Sequence, residues 1–206
     1  MKIIRVATAL ALAIGLGACA QVGDVTRASP LMPLMGSTGE APAAMALSRD
    51  YKIVAVDVAV PTTLVVSEAN SYKPRGDIVW REDLPGDRYA QVDKLVTDAI
   101  TAAVSDIDGK RKVTLAFVVT RFHALTEKAR FSAPSGLGTH EVYMTMAVLD
   151  AATGDVIEPA RPVGFTIEAH TSDDAIADMA RGISQRSRIS EALAVMVRRE
   201  LGSAAG

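Results

Sequence analysis

The sequence runs to 206 residues, with 22 Lys and Arg against 24 Asp and Glu and a formal net charge of −2. That balance supplies no basic stripe for nucleic acid. Aromatic residues are 4% of the chain and cysteine occurs once, so neither a stacking surface for sugars or bases nor an internal disulfide is expected. This length suits one domain with a core of small side chains, chiefly Ala and Val.

Lys2 and Arg5 form a short cationic start, and residues 6–17 are almost wholly Ala, Leu, Ile and Gly. This is the profile of a signal-peptide core, and it is too short for the about 20 apolar residues that span a bilayer. Gly17 and Ala18 leave room for a peptidase, and the single cysteine, Cys19, follows at once. Leu16-Gly17-Ala18-Cys19 resembles the lipobox of bacterial lipoproteins. The resemblance implies cleavage between Ala18 and Cys19, acyl chains on the Cys19 thiol and new amine, and a stable membrane anchor, since two or more chains hold where one does not. Ala20 stands where an Asp commonly retains such proteins at the inner membrane, so a periplasm-facing outer-membrane site is favoured.

Residues 1–18 are therefore read as the signal peptide, 19–49 as a flexible tether containing Pro30, Pro33 and Pro42, 50–202 as a single α+β domain, and 203–206 as a disordered tail. A short helical turn at 43–47 and docking of Leu31, Met32, Leu34 and Met35 on the domain or a partner are open alternatives within the tether. The first strand is expected over 51–60, with Val54, Val56, Val58 and Val60 on one face until Pro61 stops it. A second extended piece at 63–67 leads into an irregular stretch ending at Trp80. Asp87 suits the cap of a helix whose Val92, Leu95, Val96, Ala99, Ile100, Ala103, Val104 and Ile107 share one face, with Asp108-Gly109 as its end. Strands at 112–122, 141–150 and 163–169 should form an antiparallel meander. The loop 123–138 is read as solvent-facing slack, and helices at 172–182 and 184–201 close the domain. The expected fold is α+β: a small, mostly antiparallel sheet, with the long helix and the two C-terminal helices packed on one face.

No catalytic constellation, metal site or cofactor emerges. His123, His140 and His170 are far apart and lack ligand spacing with carboxylates or thiols. Ser135-Gly136-Leu137-Gly138 falls in a loop rather than between a strand and a helix, so it is neither a nucleophile elbow nor a phosphate loop. Glu82-Asp83 and Asp173-Asp174 are adjacent rather than facing, and the second pair suits a first helical turn. Trp80 and Arg81, just ahead of the long helix, are the candidate contacts for a protein partner. The favoured reading of Trp80 is packing under the helix start; its exposure decides.

A lipobox cysteine, a tether, a Val-rich strand ending in Val60-Pro61, Trp80 ahead of a long helix, and Asp150-Ala-Ala-Thr-Gly154 together resemble the small auxiliary lipoproteins of ABC-type envelope transport systems. That resemblance implies an envelope partner and a non-catalytic accessory role in moving lipid between membranes. The two C-terminal helices depart from that pattern, where one is expected. A lipoprotein activator or structural partner of cell-wall synthesis is the first alternative, and a small periplasmic enzyme the second.

Overall fold

The computed structural model describes residues 49–202. The Ala18/Cys19 cleavage site, the lipidation site at Cys19, nearly all of the tether and the turn expected at 43–47 lie outside the described residues. Strand β1 (Tyr51–Ala59) is followed by a two-residue strand, β2 (Ile78–Val79), helix α1 (Arg88–Val104), strand β3 (Arg111–His123) and a short helix, α2 (Glu127–Ser132). Strands β4 (Gly138–Asp150) and β5 (Val156–Ala169) come next, then helices α3 (Ser172–Ala180) and α4 (Gln185–Glu200). The fold is α+β, with an open sheet ordered β1-β3-β4-β5. β3, β4 and β5 are the expected antiparallel meander, while β1 and β2 both pair parallel to β3.

β1 shows why alternation read from sequence can lose its phase. The register shifts between Ile53 and Ala55, so Tyr51 and Ile53 turn inward before the irregularity and Val56 and Val58 after it. Val54, expected inside, is 48% exposed. A bulge adds one residue to a strand of period 2, and every later side chain changes face.

The core lies between one sheet face and helices α1 and α4. Val113, Leu115, Phe117 and Val119 of β3, and Val142, Met144 and Met146 of β4, pack with Val92, Leu95, Val96 and Ile100 of α1 and Ile189, Leu193 and Met196 of α4. At about 1.5–3 kcal/mol for each fully buried large aliphatic, this layer dominates stability. Asp87 caps α1 as expected, its side chain accepting from the Ala90 amide at 3.1 Å. The helix stops at Val104, however, with Ser105 as C-cap, so Ile107 packs against the core from the following turn. Gly109 donates its amide to the Tyr51 carbonyl at 2.8 Å. A Cβ there would sit 2.3 Å from the Asp50 carbonyl carbon, so only glycine allows the two segments to meet.

Three further expectations are corrected. Residues 63–67 form no strand; only an isolated bridge joins Val66 to Ile78. The segment 123–138 is not slack, because Thr126 caps α2 through the Ala129 amide and Ala124, Thr126 and Ala129 are buried. β5 starts seven residues earlier than the expected strand, at Val156, with Pro159 and Pro162 inside it; it is a sheet-edge strand, where a missing N–H is tolerated.

Candidate functional site

The segment from Trp80 to Asp83 was the best functional candidate in the sequence, and the structure makes it a junction. Trp80 is fully buried. Its Nε1 donates to Asp83 Oδ2 at 2.7 Å, its ring meets Phe122 edge to face at 5.7 Å, and the Arg186 guanidinium lies 5.3 Å over it. Trp80 is thus a packing residue and not an exposed contact for a partner. Arg81 is held between Glu127, at 2.7 Å, and Glu68, at 3.2 Å. Its Nε and Nη1 are thereby committed inside the molecule.

The neighbouring acids are structural as well. Glu82 accepts from the backbone amides of Gln185 at 3.0 Å and Arg186 at 2.7 Å, which satisfies the open N-terminus of α4. Ser184 and Ser187 complete that end with a reciprocal capping box. Asp83 takes both 2.6 Å contacts from Arg186. Burial alone would raise its carboxyl, but the Arg186 and Trp80 hydrogen bonds outweigh that and hold it below the ordinary carboxylate range. A second closed cluster surrounds the buried Asp178, which accepts from Arg181 at 2.5 Å and Arg188 at 3.3 Å and lies 2.7 Å from His170 Nδ1.

His140 is buried on the helix-covered face. Burial pulls its pKa down to about 4, and Arg188, Arg130 and His170 push in the same direction. The ring is therefore neutral at pH 7. Its Nδ1 has no hydrogen-bond partner among the described residues. No group of three or more His, Cys, Asp or Glu among the described residues could hold a metal.

What the structure brings together unannounced lies on the opposite face of the sheet. No described helix covers its centre. Outward positions Thr114, Ala116, Val118 and Thr120 of β3 and Tyr143, Thr145, Ala147 and Leu149 of β4 carry no charge. Val118 is 41% and Tyr143 40% exposed. A solvated strand face ordinarily alternates apolar-in with polar-out, so an uncharged run across two central strands is unusual. The Tyr143 ring covers its cross-strand neighbour Gly164, where a Cβ would come within 2.7 Å of Tyr143 Cδ1, and its hydroxyl meets Thr166 Oγ1 at 2.6 Å.

At one end of this face, α2 and the segment 72–74 rise as walls around a groove of about 510 Å³. Its floor is Arg121, His123, Thr139 and Glu141, and Pro74, Leu125 and Leu137 line its sides. His123 Nε2 lies 2.7 Å from the Gly76 carbonyl oxygen. A carbonyl only accepts, so Nε2 carries the proton and Nδ1 is left to accept from Arg121 Nη2 at 3.2 Å. Burial first, and Arg121 as well, outweigh the Gly76 bond and draw the imidazole below its usual range. Arg121 Nε also donates to Glu141 at 2.7 Å. The guanidinium is fixed from two sides, with Nη1 uncommitted among the described residues.

A second, shallower groove lies between β5 and α4, lined by Phe165, Ile167, Val195 and Met196. No described helix is long and apolar enough to cross a membrane.

Residues 51–206 match the family described as "Family of unknown function (DUF6778)". The chain belongs to that family. No curated protein matches it. Among solved structures, it is similar to protein XCC0632 from Xanthomonas campestris of the DUF330 family, at 12% identity and a TM-score of 0.43 over 73% of this chain and 81% of that one. It is also similar to a candidate lipoprotein from Caulobacter crescentus CB15, at 15% identity and a TM-score of 0.31 over 71% and 86%. A PelC dodecamer variant from Paraburkholderia phytofirmans gives 17% identity and a TM-score of 0.31 over 72% and 88%. These are distant likenesses.

Proposed function

We propose that the chain is a lipid-anchored protein of the bacterial envelope, a non-catalytic accessory subunit of a lipid transport system that acts by contacts through the open face of its sheet. The Leu16-to-Cys19 lipobox supports the anchor. The observation that carries the contact role is the uncharged surface of β3 and β4 that no described helix covers, centred on Val118, Thr145 and Ala147. Leaving apolar side chains in water forgoes about 25 cal/mol per Å², and a contiguous patch of this kind marks an interaction site. Its lack of charge selects a partner surface equally free of charge, because burying an unpaired ion is costly.

The groove does gather Arg121, His123 and Glu141, a set that acid-base chemistry could use. Both imidazole nitrogens are committed, however, and Glu141 is tied to Arg121. No imidazole lone pair is left free to face the groove, so the arrangement favours binding over proton transfer.

The test is affinity purification of the detergent-solubilised, C-terminally tagged chain, followed by mass spectrometry, with Cys19→Ser as a control for mislocalisation. Transporter components should be recovered with the native chain and lost with Cys19→Ser. Recovery of cell-wall synthases instead would replace the transport reading with the activator reading.

A further inference from the structure

The groove at the α2 end of the open face has a composition that a contact surface does not need. Its volume, about 510 Å³, falls within the range of about 300–1,000 Å³ typical of small-molecule sites. Part of the lining is cationic. Arg121 is oriented by His123 and Glu141, and Lys73, also on the lining, makes no ion pair among the described residues. By contrast, Arg81, Arg88, Arg186 and Arg188 each meet a carboxylate. The rest includes apolar Pro74, Leu125, Ala129 and Leu137; Leu137 is 72% exposed.

Charge sets the valence of the ligand. Among the lining residues, Arg121 and Lys73 stand against the single carboxylate of Glu141, which leaves one positive charge in excess. A dianion would be undercompensated and would crowd Glu141, whereas a single negative charge closes the balance. Among the described residues, Arg121 Nη1 is an uncommitted donor suited to an oxygen of such a group.

We propose that this groove binds an amphiphile with a singly charged oxyanion head, either a carboxylate or a phosphodiester, held by Arg121 and Lys73 with its apolar body against Leu125, Leu137 and Pro74. Its recognition depends on none of the contacts assigned to the centre of the face, so it stands apart from the partner reading.

The experiment is calorimetric titration of the full lipid-anchored chain in nanodiscs of zwitterionic phosphatidylcholine. The probes are decanoate, dihexanoyl phosphatidylglycerol, acetate and uncharged decyl maltoside, each below its micelle-forming concentration. Native protein should bind one of the two charged amphiphiles at least tenfold more tightly than decyl maltoside or acetate. Lys73→Gln, which removes an exposed side chain and leaves the fold intact, and Arg121→Gln should each weaken that binding at least tenfold. Preference for the phosphatidylglycerol assigns the site to a lipid, and preference for decanoate to a soluble acid. Equal binding of the charged and uncharged amphiphiles, or undiminished binding by a folded Lys73→Gln protein, overturns the proposal. Partner recovery with Lys73→Gln is expected to be unchanged, which separates failure of this site from failure of the partner reading.

Discussion

The two faces of the sheet treat polar groups in opposite ways. On the helix-covered side and its margins, charges that enter are closed off: Asp178 among Arg181, Arg188 and His170, Asp83 on Arg186, Glu82 on the amides of α4. On the open side the outward β3 and β4 side chains at the centre carry no charge, and the groove at its end holds Lys73 with no ion-pair partner among the described residues. A charge near a tryptophan is therefore no guide to function here. Arg186 over Trp80 is architecture, while Lys73, which lines the groove without an ion pair among the described residues, is available to a ligand.

Removing Trp80 should produce the largest effect. Trp80→Ala empties a fully buried site beside Phe122 and should cost about 3–5 kcal/mol, read as a fall in the urea midpoint. A variant within 1 kcal/mol of native, on the order of a surface substitution, would return Trp80 to the open side of the comparison.

His140 tests the covered side by pH. Its folded pKa, about 4, lies below its ordinary value of 6.5, so between these values the unfolded chain binds more protons. Stability is then fully present above pH 6.5 and is lost as pH falls toward 4. From pH 7 to 4.5 the native chain should lose about 2 kcal/mol more than His140→Gln, measured by denaturant titration at both values. Parallel losses would show that the imidazole is solvated.

Arg81 sits at the margin, its side chain 22% exposed between two half-exposed carboxylates. Such pairs contribute little, so Arg81→Ala should lower stability by at most about 1 kcal/mol and leave partner recovery unchanged. Loss of the partner with stability retained would restore Arg81 as a contact.

The periodic elements were readable from sequence. The meander and helices α1 and α4 follow from runs of period 2 and 3.6 that burial then enforces. The two-residue β2 and six-residue α2 are too short for either period to register. The phase of β1 was hidden because a bulge at Val54 leaves no mark in a Val-rich strand. The groove was invisible for a different reason: Lys73 and Arg121 are 48 positions apart in the numbering, and only the pairing of β2 with β3 brings the segment before β2 beside the end of β3. Trp80 drew attention through its rarity, but a lone tryptophan next to charge reads the same in a core junction as at an interface.

The most direct test of the account is Val118→Glu, which places a charge at the centre of the open face where the native side chain is 41% exposed. The thermal midpoint should stay at its native value while recovery of the envelope partner falls at least tenfold in the same affinity purification. Undiminished recovery with a folded Val118→Glu chain would contradict the claim that this face makes the functional contact.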